Sequence, residues 1–275
     1  MGANVWTLAR RELRESLRSR WFLLHTGVFM LLGIAVSFLS ASTAGGGGLA
    51  GFGRTSAGLA NLVTLVVPLM ALTAGAGCVA SERERGMLAF LLSQPISRFE
   101  VIAGKWLGLA LALTASICFG FGSCALVISL EGSSERAISM VQLACLSLFL
   151  AVGMLGVGVL ISVLSPRMSM ATGLAIFAWL LFAFVSDLGL MAGTIVWKVS
   201  IQSLFVACMV NPLQAFKIWS LDGSGIPLDV LGPVGQYATD HFPRALPWFA
   251  AASLSVWGFA PIALAALCFT RRPRP

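Results

Sequence analysis

The chain is 275 residues long, 58% hydrophobic and only 11% charged, with a formal net charge of +7. A water-soluble domain of this size needs about a quarter charged residues to wet its surface, so a compact soluble fold is excluded. The basic excess sits at the ends of apolar runs, where it orients a membrane protein, and it argues for no nucleic-acid partner.

Residues 4–20 are predicted to form an amphipathic helix on the membrane surface. Asn4 is placed to cap it, and Trp6, Ala9, Leu13 and Leu17 recur at helical spacing on one face. Arg10, Arg11, Arg14 and Arg18 occupy the other faces, within reach of lipid phosphates. A cleaved secretory leader would combine such a start with a shorter apolar core. A twin-arginine signal would not place Glu12, Arg14 and Glu15 after Arg10-Arg11.

Six apolar runs follow: Trp21–Ala41, Gly58–Ala80, Trp106–Leu130, Val141–Leu164, Met170–Met191 and Trp248–Thr270. Each has about the 20 residues a helix needs to cross the hydrocarbon core. The glycine-rich stretch Gly45–Gly48 separates the first two. Lys and Arg concentrate on alternate sides. One side holds the N-terminal arginines, Arg83, Arg85, Arg98, Lys105, Arg167 and the tail Arg271, Arg272 and Arg274. The other has only Arg54, Arg136, Lys198, Lys217 and Arg244. The expected fold is an all-α integral membrane protein with six transmembrane helices and both termini cytoplasmic. The cysteines (Cys78, Cys118, Cys124, Cys145, Cys208, Cys268) form no C-x-x-C pair and read as packing residues.

The connection over 81–100 carries the most information. Ser81 and Glu84 have capping-box spacing, which predicts a helix start, and Met87, Leu88, Phe90, Leu91 and Leu92 are too few to span. Pro95 should end this short helix, and Ser97 with Glu100 should cap the next. A short cytoplasmic helix with exposed apolar and charged groups is suited to docking in a groove of a partner. Glu82, Glu84, Arg85, Phe90 and Leu91 are the candidate docking residues, with Phe90 as the apolar anchor.

This block, with Gly86, Leu91-Leu92-Ser93, Pro95-x-Ser97-Arg98 and Gly104-Lys105, resembles the coupling-helix region of type-2 ABC exporter permeases. The resemblance covers nearly the whole chain: an amphipathic N-terminal helix, six spans and the largest outer segment between the last two. It implies a single permease domain over 1–275, in a bacterial inner membrane, working as a homodimer. It also implies a cytoplasmic ATPase subunit that binds ATP and Mg, because no G-x-x-x-x-G-K-S/T phosphate loop occurs in this chain. The chain is therefore expected to be no enzyme, to have no catalytic residues and to hold no cofactor or metal.

The outer segment, 192–247, begins with an apolar stretch from Ile195 to Val210 that lies in the interface or dips back into the membrane. Its turn-rich remainder, with Trp219, Tyr237 and Trp248, suits the interfacial belt. Asn211-Pro212-x-x-Ala215-Phe216-Lys217 and the run Leu231–Ala238 are similar to the NosY-like branch of the family. That likeness implies a NosF-like ATPase and a NosD-like periplasmic repeat protein, in copper-site maturation of nitrous oxide reductase. Asn211, Pro212, Phe216 and Tyr237 are the candidate contacts for the periplasmic partner.

Asp187 is the one charge inside a predicted span and falls near its outer end. Without a row of intramembrane acids, a proton-coupled carrier is disfavoured. His25 and His241 lie on opposite sides and share no metal site, and Met168 and Met170 read as packing residues. Gly104/Gly108, Gly153/Gly156 and Gly189/Gly193 permit close helix approach, between subunits or within one. An exporter of a drug, lipid or polymer, a secondary carrier and a membrane anchor for a periplasmic protein stand as alternatives.

Overall fold

A computed structural model of the chain describes residues 2–43, 49–94, 96–129, 135–185, 187 and 200–271. Among them there is no strand. The helices are α1 (Gly2–Arg18), α2 (Arg20–Thr43), α3 (Leu49–Glu84), α4 (Met87–Ser93), α5 (Arg98–Ser129) and α6 (Glu135–Leu164). Then come α7 (Met168–Leu180), a π-helical turn Leu181–Val185, α8 (Ile201–Val210), α9 (Pro212–Gly223), a 3-10 turn Leu228–Leu231, α10 (Pro233–His241) and α11 (Leu246–Arg271).

Five of these helices (α2, α3, α5, α6 and α11) are long and apolar enough to cross a membrane. The fifth predicted span is shorter: α7 with its π turn is an apolar helix over Met168–Phe184. Its two ends are nonetheless pinned at opposite ends of the bundle. Glu84, at the end of α3, holds the Met168 N–H, while Asn211, before α9, donates to the Phe182 carbonyl. The helix therefore traverses the bundle. With α7 crossing, α8 and α9, bent by 99° at Asn211, form a hairpin at the far end. Of the apolar stretch Ile195–Val210, expected to lie in the interface or dip back into the membrane, the described part is α8. Gly189, Gly193, Lys198 and the glycines of 45–48 lie outside the described residues.

The core is built where helices lose their Cβ atoms. A methyl group added to Gly158 would sit 2.5 Å from the Leu72 carbonyl oxygen, and one added to Gly75 2.8 Å from Leu155 O, so α3 and α6 touch backbone to backbone. Four residues further on, Ser162 Oγ accepts from the N–H groups of Val79 and Ala80 at 3.0 and 2.9 Å. A second, smaller core gathers Leu204, Phe205, Ile218, Val234, Ala238 and Leu246 around α8, α9 and α10.

Two local expectations are corrected. The first helix starts at Gly2, so Asn4 lies inside it and does not cap it. Its apolar face is also split, because Ala9 is fully buried while Trp6 and Leu17 stay exposed. The buried side faces Gly104 and Gly108 of α5, where added Cβ atoms would lie 2.7 Å from Leu8 Cβ and 2.5 Å from Ala9 O. This glycine pair thus serves packing within one subunit. Gly153 and Gly156 face α11 at ordinary contact distance.

Candidate functional site

The second correction reshapes the site. Ser81 and Glu84 do not open a helix; they form the last turn of α3, and Ser81 Oγ donates back to the Gly77 carbonyl at 2.6 Å. Capping-box spacing also occurs inside a helix that simply continues. The break falls at Gly86, whose left-handed φ of 72° suits a residue without Cβ. Then α4 runs to Ser93, and Gln94 is extended at ψ 156°, as a residue preceding a proline should be. Pro95 itself lies outside the described residues. The Ser97–Glu100 capping box is present: Ser97 N–H donates to Glu100 Oε2 at 2.8 Å, and Glu100 N–H donates to Ser97 Oγ at 3.2 Å.

Because successive residues of a helix turn by about 100°, the run Glu82-Arg83-Glu84-Arg85 radiates in several directions. Glu82 points to α5 and α1: its Oε1 lies 2.9 Å from Lys105 Nζ and 3.9 Å from the Arg11 guanidinium. Lys105 donates equally closely, at 2.9 Å, to Glu12 of α1. Burial pushes the Glu12 carboxyl above its ordinary value, and the Lys105 charge pulls it back. Arg83 donates to the Ser165 carbonyl and, at 3.2 Å, to that of Val163, at the negative end of α6. Glu84 accepts the Met168 N–H at 3.0 Å, at the positive end of α7. Further along, Arg98 donates to the Phe269 carbonyl at 3.1 Å, at the last turn of α11. One connection thus grips α1, α5, α6, α7 and α11.

On α4 the i, i+3 rule divides the side chains into two faces. Leu88 and Leu91 are buried against the core, whereas Phe90 is 66% exposed beside exposed Met87. Phe99, at the start of α5, is 62% exposed. Of the five candidate docking residues, Glu84, Arg85 and Phe90 are therefore at the surface. Glu82 is a buried strut and Leu91 a core residue. Glu12, Arg83 and Lys105 were missed as site residues. Lys105 stands in the Gly104-Lys105 pair of the sequence motif, whereas for the other two the signal is no more than a charge beside apolar residues.

At the opposite end the candidate contacts are mostly internal. Phe216 is fully buried and Pro212 is buried as the first residue of α9. Asn211 caps α9 by accepting the Leu213 N–H at 2.9 Å, while its amide donates to Phe182 O at 2.9 Å. Tyr237 is half-buried and stacked on His241 at 4.2 Å. These four residues brace the hairpin. Asp187 joins them: it lies 3.1 Å from Lys217 Nζ and accepts from the Gln214 amide. An apolar groove of about 660 Å³ runs between α8 and α11, lined by Phe205, Met209, Tyr237, Phe249 and Trp257 among others. On α10 and the turn after it, the polar residues Gln236, Asp240, His241 and Arg244 are exposed. Among the described residues, no three His, Cys, Asp or Glu side chains cluster as a metal site.

The bundle carries the short helix α4 at one end and the α8–α9 hairpin at the other, and the sequence that builds it is similar to known proteins. Residues 6–273 match the family described as ABC-2 family transporter protein. The chain is 33% identical to the "Probable ABC transporter permease protein NosY" of Pseudomonas aeruginosa, with 98% of each chain covered. It is 30% identical to the protein of the same name from Stutzerimonas stutzeri, over 98% of this chain and 99% of that one. The chain belongs to the ABC-2 family of membrane transporter permeases.

Proposed function

We propose that this permease is driven by a separate cytoplasmic ATPase subunit, which docks on α4 and transmits its movement through the 81–100 connection. The carrying observation is that this one connection holds the ends of α1, α5, α6, α7 and α11 while presenting an exposed Phe90. A push on Phe90 would be felt at once by five helices, most of which lead to the opposite side. Glu84, Arg85 and Phe90 form the contact, with Met87 and Phe99 beside them. The basic end of the bundle faces the cytoplasm of a bacterial inner membrane, and two copies of the chain form the working unit.

At the periplasmic side the moving part is the α8–α9 hairpin, and the product of ATP hydrolysis is transport or mechanical work there. The two relatives named NosY support the finer reading: a NosF-like ATPase, a NosD-like repeat protein, and a part in copper-site maturation of nitrous oxide reductase. A partner would meet Gln236, Asp240, His241 and Arg244, the exposed polar groups of α10 and the turn after it. The test is purification of the tagged chain from its native membrane in mild detergent, with mass spectrometry of what accompanies it. An ATPase subunit together with a periplasmic repeat protein is expected. An ATPase alone would overturn the maturation reading and leave an exporter. Absence of any ATPase after gentle crosslinking would overturn the coupling.

A further inference from the structure

The apolar groove between α8 and α11 has walls that are fixed before anything enters it. Phe205 stacks on Phe242 at 5.6 Å with the rings 12° apart, and Phe242 meets Phe249 edge-on, also at 5.6 Å. Tyr237 leans on Phe205 at 5.8 Å, so four rings from α8, α10, the turn after it and α11 make one continuous wall. Further along, Trp257 Nε1 donates to the Val210 carbonyl at 2.8 Å, one of the carbonyls that the end of α8 leaves unpaired. The same indole meets Phe182 of the π turn edge-on at 5.2 Å. A site held by ring packing on one side and a hydrogen bond on the other is already formed.

The groove also has a direction. From Phe249 to Trp257 it follows α11 for about 12 Å, at 1.5 Å per residue. That helix crosses the membrane, and it starts at Leu246, in the smaller core at the hairpin end. The groove therefore runs along the half of the hydrocarbon core nearer the hairpin. Trp248, exposed just before Phe249, marks the interface level at its head.

Three occupants can be compared. Water finds few partners there, because Gln202, Tyr237 and Ser253 are the only polar side chains among the described lining residues. A helix of a second copy is too thick. With its side chains it is about 10–12 Å across, so a 12 Å length fills about 1000 Å³, against about 660 Å³ in the groove. An acyl chain is thinner and runs across the bilayer as α11 does. It also belongs to the medium that covers the exposed apolar face of α11, which continues the groove from Val256 to Phe259.

We propose that the groove binds one acyl chain of a membrane phospholipid as a resident ligand. The chain lies against the aromatic wall between α8 and α11, with its headgroup at the level of Trp248. Leaving the bulk bilayer gains no hydrophobic term, since other lipid tails are equally apolar; close packing against a preformed wall is what holds it. One wall is part of the α8–α9 hairpin and the other is a membrane-crossing helix, so the bound lipid joins the hairpin to the bilayer. The site rests on the membrane setting of α11 and not on the ATPase partnership.

The test is native mass spectrometry of the full-length chain, extracted in mild detergent and stripped at rising collision energy. One phospholipid per chain should stay bound after the loosely held lipids have left. Val256 and Phe259 are a matched pair on α11, 62% and 68% exposed, of which only Val256 lines the groove. Val256→Trp, filling the groove from its rim, should lower retention about 10-fold, the worth of about ten lost atom contacts. Phe259→Trp should leave retention unchanged. Val206→Trp, from the α8 rim, should act as Val256→Trp does and carries the test if that variant fails to fold. Equal retention in the groove and control variants, or no retained phospholipid in the unaltered chain, would overturn the proposal. An adduct with the mass of a free fatty acid alone would also overturn it. The same spectra give the number of chains per particle, and a dimer split by Val256→Trp but not by Phe259→Trp would make the groove the seat of a second copy instead. None of these readings needs the ATPase, so failure of the lipid site leaves the coupling reading standing.

Discussion

Glu84 Oε2 accepts the backbone N–H of Met168 at 3.0 Å, joining the last residue of α3 to the first residue of α7. The bond does for α7 what an N-cap side chain normally does within one segment, but from 84 positions away. Its neighbour Arg83 serves the opposite pole of α6. Both charges match the helix end they touch. Glu84→Ala should cost about 1 kcal/mol, the usual worth of a cap. Glu84→Gln keeps an acceptor and should cost less. Thermal unfolding of the purified permease reads the difference, and equal losses for the two variants would discount the capping role.

The two faces of α4 separate docking from folding. Phe90→Asp places a charge where 66% of the side chain is already exposed, so stability should change little. Stimulation of the partner ATPase by the permease should nevertheless be lost. Leu91→Asp, one residue on, buries a charge in the core and should cost on the order of 3 kcal/mol. ATPase stimulation measured beside a melting curve distinguishes them. If Phe90→Asp left stimulation intact, the contact surface would have to lie elsewhere.

What the sequence made legible follows how local each signal is. Five of the spans were readable because about 20 apolar residues in a row suffice, whatever surrounds them. The Ser97–Glu100 box was readable because both partners sit in one turn. The Ser81–Glu84 box failed because identical spacing arises in the middle of a longer helix, and only the conformation of Gly86 reveals where the chain breaks. The Glu12–Lys105–Glu82 constellation was not readable at all, since Lys105 and Glu12 are 93 positions apart. Phe216 misled in a different way. Beside Lys217 and after Asn211-Pro212 it looked like part of an outer surface, yet the helix it sits on turns it fully inward.

That constellation carries a stability prediction. Lys105 is almost wholly buried and is the cation shared by Glu12 and Glu82. Lys105→Met would leave two buried carboxylates facing each other without compensation, at a cost of about 3–5 kcal/mol. Adding Glu12→Gln and Glu82→Gln to Lys105→Met should recover part of the loss, because the charges that needed the lysine are gone. Melting curves of the single and triple variants test this, and additive losses would contradict it.

The Asp187–Lys217 ion pair, at the other end of the bundle, should behave differently. Asp187 is 52% exposed on its side chain, so its pairing with Lys217 is screened by solvent. Lys217→Ala should therefore cost less than about 1 kcal/mol, with a smaller effect at high salt. A loss of several kcal/mol, insensitive to salt, would show that this end is far more enclosed.

The docking of α1 on α5 depends on glycine for reasons of space alone. A Cβ added to Gly108 would stand 2.5 Å from the Ala9 carbonyl oxygen and 2.7 Å from Glu12 Cβ, so α1 must shift outward. Backbone cannot yield as a flexible side-chain tip would, and an overpacked contact of this kind costs about 1–3 kcal/mol. The shift would also pull Glu12 from Lys105, so the damage should exceed that of a purely apolar clash. Gly153→Ala is the control, because its added methyl meets nothing closer than 3.5 Å. Trypsin cleavage within α1, at Arg10 or Arg14, reads the release directly. Gly108→Ala should speed it several-fold at a temperature where the bundle stays folded, and Gly153→Ala should not. If the two variants were cleaved alike, α1 would owe its position to the lipid surface more than to the α5 glycines.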